Sequence, residues 1–298
     1  MRVKYLESFS LASERDEVDY LLGFGRRPGK LDMQCYSMNN VYPFKIFPQK
    51  GLERLDFEPI TILYGGNGSG KSTLLNLIAE KLRLERTAPF NNTPYIQEYL
   101  KFCNFRLSYG KSAPEGSKIV TSDGVFDSLL DIRAINEGVD RRREELFAEY
   151  SRSREDAYLL RNLEDLDEFK RRNEAKRRTK SDYVAKRLPK ELASMSNGET
   201  AYYYFTQKIG ENALYLLDEP ENSLSATLQN KLRGFIEDSV RFYGCQFIIA
   251  THSPFLLSIK GAKVYDLDSV PVESKKWTEL ENVRIYHEFF EEHRNEFK

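Results

Sequence analysis

Apolar residues along this chain fall into two kinds of run. The stretches "PITILYGG" (59–66), "NALYLLDEP" (212–220) and "CQFIIATHSP" (245–254) are short and unbroken, and each ends in Gly or in polar residues. Such runs read as strands buried on both faces, as in a parallel sheet. "KSTLLNLIAEKLRLE" (71–85) places Leu74, Leu75, Leu77, Ile78 and Leu82 at helical spacing. "TAYYYFTQKIG" (200–210), "SATLQNKLRGFIEDSVRF" (225–242) and "WTELENVRIYHEFFEEHRNEF" (277–297) also read as amphipathic helices. Residues 1–60 read as short strands and turns, with "VYPFKIFP" (41–48) supplying β-branched and aromatic residues. Residues from about 90 to 130 read as irregular, with apolar pieces such as "FCNFRL" and "VFDSLLDI".

Near residue 137 the pattern changes. The next fifty residues contain no Pro, one Gly and many charges of both signs, with sparse apolar seams at Leu146, Phe147 and Tyr150, then Leu159, Leu163, Leu166 and Phe169. That is the pattern of exposed helices. The predicted organisation is an N-terminal lobe over 1–136, a charged helical insert over 137–190 and a C-terminal lobe over 191–298. Two antiparallel helices of about 20 residues would give the insert a reach of roughly 30 Å.

Composition narrows the partners. The chain has 298 residues, 40% hydrophobic and 31% charged, with a formal net charge of −1. No global field favours nucleic acid or a membrane, so any basic surface is local. Cys35, Cys103 and Cys245 form no CxxC pair, and with three histidines there is no metal-site spacing. They read as thiols in a reducing cytosol. "MRVKYLESFS" has no apolar signal region, and no run approaches the ~20 residues that span a bilayer. A cytoplasmic protein without membrane attachment is expected.

"GGNGSGKST" (65–73) matches G-x-x-x-x-G-K-[ST] between a strand and a helix, the context that phosphate-binding loop needs. Gly65, Asn67, Gly68, Ser69, Gly70, Lys71, Ser72 and Thr73 would surround the phosphates of a nucleoside triphosphate. Lys71 would reach the β- and γ-phosphates, and the Ser72 hydroxyl would bind Mg²⁺. At the end of "ALYLLDEPE", Asp218 is a second Mg²⁺ ligand candidate, and Glu219 is placed to polarise an attacking water. His252 ends the next apolar strand, 34 residues after Asp218. There it could sense the γ-phosphate. "SMSNGET" (194–200) sits just ahead of a helix. Its Ser196 and Gly198 read either as a helix cap or as an anion site for a second molecule's nucleotide.

These stretches, in this order, resemble the ATP-binding-cassette (ABC) ATPases. They are most similar to the soluble branch with RecF-like and structural-maintenance-of-chromosomes heads, and to compact bacterial AAA-family ATPases. "MSNGE" resembles the signature motif with Met195 in place of Leu. "DEPENSLS" resembles Walker B with the dimer-interface loop, with Ser225 where Asp is usual, and "THSPF" resembles the switch-histidine region. The resemblance implies an α/β P-loop head with a mixed-sheet core, a β-rich N-terminal layer and a projecting helical insert. It implies ATP and Mg²⁺ as ligands, catalytic roles for Glu219 and His252, and a homodimer that sandwiches ATP, with Ser196 and Gly198 reaching the other head's nucleotide. It further implies control of an effector or nuclease partner, in genome maintenance and DNA repair or in antiviral defence. No lid glutamine is assigned, Gln97 lying rather close to the loop, and Tyr42 or Phe44 would stack on adenine.

Two alternatives have different consequences. A nucleotide-binding subunit of a membrane transporter would fit the cassette but not the charged insert. A phosphotransferase would leave "SNGE" and His252 unused. Within the insert, seven of the eleven residues from Lys170 to Lys180 are Lys or Arg. This run is either a solvated helix face or a contact for the phosphates of DNA or RNA.

Overall fold

The computed structural model describes residues 3–22, 41–90, 92–110, 112–155 and 196–297. The chain divides into two compact units, Met1–Val125 with Asn197–Lys298, and Phe126–Ser196.

The larger unit is built on two sheets. Strands β1 (Leu6–Ser10), β2 (Arg54–Asp56), β3 (Ile60–Tyr64), β4 (Glu85–Arg86), β5 (Asn104–Leu107), β6 (Lys118–Thr121), β7 (Leu214–Asp218), β8 (Gln246–Ala250), β9 (Lys263–Asp266) and β10 (Glu273–Lys275) are its extended segments. A three-stranded antiparallel sheet has the order β2-β1-β5, and a seven-stranded sheet has the order β10-β9-β3-β8-β7-β6-β4. The larger sheet is parallel except for β10 at its edge. The fold is therefore α/β with a mixed sheet and a β-rich N-terminal layer. Every residue of β3 and β8 is buried, as unbroken apolar runs require of central parallel strands.

Helices α1 (Glu14–Leu22), α2 (Lys71–Leu82) and α3 (Pro94–Tyr99) belong to the first half of this unit. α2 turns Leu74, Leu75, Leu77, Ile78 and Leu82 into the core beneath β7 and β8. Between 90 and 130 the expected irregular stretch instead holds α3, β5, β6 and the start of α4 (Ser122–Glu155). These elements are short, and β6 finds its partner in β7 almost a hundred residues away, Ile119 opposite Leu216. Local periodicity carries no trace of such a pairing. α4 also runs unbroken through residue 137, where the composition shifts. Its exposed charges pair along the helix, as in Arg142–Glu145 at 2.8 Å, while Leu146 is buried.

The second half of the larger unit contains α5 (Asn197–Lys208), α6 (Ala226–Phe242), the single turn α7 (Pro254–Leu257) and α8 (Glu281–Glu292). α6 is capped by Ser225, whose side chain accepts from the Leu228 N–H. Ser225 thus has a local structural task.

One buried side chain joins the two sheets. Gln246, at the first position of β8, is fully buried. Its Oε1 accepts from the N–H groups of Tyr5 and Leu6 at 2.7 and 2.8 Å, and its Nε2 donates to the carbonyls of Leu6 and Glu58 at 2.9 and 3.1 Å. All four bonding positions of the amide are used. The Tyr265 hydroxyl adds a second link, donating to the Asp56 carbonyl at 3.0 Å.

Candidate functional site

β3 ends at Tyr64 and the chain enters the glycine loop. Gly68 and Gly70 have φ of 79° and 100°, a left-handed backbone that other residues adopt only at a cost. Gly65 has a steric reason as well: a Cβ there would lie 2.6 Å from Ser69 Oγ. The loop closes on α2, whose first residue is Lys71. Lys71 is buried, and its Nζ donates to the carbonyls of Gly65 at 2.7 Å and Gly66 at 3.0 Å.

β3 and β7 are both neighbours of β8 and run parallel to it, so their C-terminal ends meet at one edge. There the Ser72 hydroxyl donates to Asp218 Oδ1 at 3.0 Å. Burial pushes the Asp218 carboxyl up to about 6. The bond from Ser72 works against that shift, and the neighbouring Glu219 adds to it. Glu219 Oε1 lies 3.8 Å from Lys71 Nζ, and its Oε2 accepts from Asn222 at 3.2 Å. Its φ is 47°, strained for a residue with a side chain, and its N–H is tied to the Ala250 carbonyl at 2.9 Å.

A cavity of about 380 Å³ opens on this edge, lined by Tyr42, Ile46, residues 67–73 and Glu219. The Tyr42 hydroxyl donates to Thr73 Oγ1 at 2.9 Å, and its carbonyl accepts from Thr93. Tyr42 therefore stands at the loop as expected of a base-stacking aromatic. Phe44 does not: it is 3% exposed and stacks on Tyr20, with ring centroids 4.8 Å apart. Gln97 lines a different depression, with Glu80 and Arg83.

The residues suit a triphosphate. The loop offers N–H groups at a helix N-terminus, and buried Ser69 Oγ has no hydrogen-bond partner. For Mg²⁺ the donor set is a hydroxyl and a carboxylate, hard oxygens already 3.0 Å apart. Among the described residues no cluster of three His, Cys, Asp or Glu is present.

Other residues are placed apart from this cavity. Ser196 is exposed ahead of α5. Gly198, in the first turn of α5, packs on Ser223 and Leu228, where a Cβ would meet the Ser223 carbonyl at 3.0 Å and the Leu228 side chain at 3.1 Å. His252 follows β8 and lines a second, larger cavity of about 1010 Å³. Lys170–Lys180 lies outside the described residues.

Two contributors are not visible as motifs. Asp268, after β9, accepts from the Gly66 N–H at 2.7 Å and so braces the loop. Glu221 is 5% exposed. Its Oε1 accepts from the Thr251 hydroxyl at 2.6 Å and the His252 N–H at 2.9 Å, and lies 3.4 Å from His252 Nδ1. Thr251 in turn accepts from the Ser253 N–H. The partners of Glu221 follow β8, the strand that neighbours β7.

Residues 113–258 match the family described as "AAA domain, putative AbiEii toxin, Type IV TA system". No curated protein matches the chain. Among solved structures, the SMC head bound to the C-winged helix domain of ScpA is similar over 94% of this chain and 99% of its own, at 16% identity and TM-score 0.40. The SMC head domain from Thermotoga maritima is similar over 88% and 94%, at 15% and 0.38. A structure described as a "putative metal-chelate type ABC transporter" in an inward-facing conformation covers 77% and 76%, at 17% and 0.35. These are weak likenesses. Among the described residues, no helix is long and apolar enough to cross a membrane.

Proposed function

We propose that the chain is an ABC/AAA-type P-loop ATPase head that binds and hydrolyses ATP as a switch, a reading supported by the family match of residues 113–258. The observation that supports this most is the convergence of Lys71, Ser72, Asp218 and Glu219 at one edge of the sheet, on a loop with buried donors. Loop N–H groups and Lys71 hold the phosphates. Ser72 and Asp218 hold Mg²⁺, which supplies charge neutralisation at the phosphates when bound. Glu219, fixed by its strained backbone and by Asn222, accepts a hydrogen bond from the attacking water and orients it. Tyr42 covers the base side.

The switch reading extends to two copies. Gly198 and the exposed Ser196 belong to an α5 N-terminus outside the cavity that holds Lys71. Such an N-terminus serves a nucleotide held by another head. His252, tethered by Glu221, reports the γ-phosphate in the closed pair. The closed homodimer then acts on a cytoplasmic effector or nuclease protein, or on nucleic acid through Lys170–Lys180, in DNA repair or antiviral defence.

Phosphate release from Mg-ATP tests the catalytic part. Glu219→Gln is expected to abolish turnover while leaving nucleotide binding intact. Turnover by that variant at the wild-type rate would refute the assignment of Glu219.

A further inference from the structure

The larger cavity, about 1010 Å³, lies between α7, α8 and the turn at Trp277. Phe255, Trp277, Tyr286 and Phe290 bring aromatic rings to its wall, which also carries His252 and Glu221. Trp277, Tyr286 and Phe290 are 37%, 49% and 53% exposed, a concentration of large apolar surface around one concavity. The volume is that of a small-molecule site.

Glu221 supplies the chemical selection. Its Oε1 is already engaged by Thr251 and His252, whereas its buried Oε2 has no hydrogen-bond partner. An ionised carboxylate has about four acceptor positions, and leaving one oxygen buried and unmet costs about 1–3 kcal/mol. The cavity's Arg284 does not meet it and lies instead 3.9 Å from Glu288, at the exposed face of α8. Aromatic faces attract cations through their quadrupole, and a carboxylate in the same cavity acts in the same direction.

We infer that this cavity is a binding site for a small planar organic cation, an aromatic amidinium, guanidinium or ammonium, which stacks on the aromatic wall and donates to Glu221. Because Glu221 also tethers His252, such a ligand acts as an effector of the strand end that carries the histidine. The site requires no nucleotide, so it can fail while the ATPase reading stands, and the reverse.

Trp277 is the only tryptophan of the chain, so its fluorescence reports this cavity directly. The full chain, free of nucleotide, is titrated with benzamidine, with benzoate as the anion of matched shape. Benzamidine is expected to give a saturable change, with benzoate weaker by about tenfold or more. Glu221→Gln keeps the shape and the acceptor for His252 but removes the charge, and should weaken benzamidine about tenfold. Tyr286→Ala, on the exposed face of α8, should also weaken it, and serves if the Gln variant does not fold. Equal response to the two compounds, no saturation by benzamidine, or unchanged affinity in a folded variant would overturn the site.

Discussion

Ser72 and Asp218 stand 146 positions apart in the chain and are joined by a 3.0 Å hydrogen bond at the meeting point of β3 and β7. The first residues of a helix are thereby locked to the last residue of a strand. This bond brings together the two oxygens proposed above to hold Mg²⁺.

Asp218→Asn keeps an acceptor for Ser72 but removes the only negative charge of this pair of ligands. Phosphate release is expected to fall by about 100-fold, and higher Mg²⁺ should recover part of it. Loss that no concentration of Mg²⁺ relieves would assign Asp218 a role other than metal binding.

Gln246→Leu removes four hydrogen bonds between the N-terminal sheet and β8 without changing the side-chain volume greatly. With about 1–3 kcal/mol for each buried group left unmet, a loss of about 3 kcal/mol or more is expected. Chemical denaturation measures it directly. A change under about 1 kcal/mol would mean that water or backbone shifts replace the glutamine.

Cys103 is fully buried, and burial pushes its thiol up to about 12. A raised thiol pKa means that the reactive thiolate forms only as pH approaches that value, so near pH 8 almost none is present. Iodoacetamide followed by peptide mass spectrometry should leave Cys103 unlabelled in the folded protein and label it fully in denaturant. Labelling in the folded state would show that the site opens.

Arg171, Arg172, Arg177 and Arg178 changed together to Glu test the basic run. If it holds nucleic acid, duplex affinity should fall and the salt dependence should flatten, by about one in log-log slope per lost phosphate contact. Unchanged affinity and slope would make the run a solvated face.

Much of the site was readable because its chemistry is local in sequence. Gly65–Thr73, Asp218–Glu219 and His252 each end an unbroken apolar run, and such runs become the central strands β3, β7 and β8. Gln246, Glu221 and Asp268 were not readable as motifs, since each is defined by a partner on another strand or loop. The stretch from 90 to 130 misled for a related reason. Its strands are only four residues long and are stabilised by pairing with distant segments, β5 with β1 and β6 with β7. Phe44 failed as a base-stacking candidate because aromatic composition does not distinguish a core ring from a site ring.

In the proposed switch, ATP joins two heads and Glu219 turns the joined state over. Light scattering of Glu219→Gln with saturating Mg-ATP reads this in one step. A doubling of mass that requires ATP, and that is lost when Ser196 is replaced by Arg, is expected. A Glu219→Gln protein that stays strictly monomeric at saturating ATP would refute the two-headed switch.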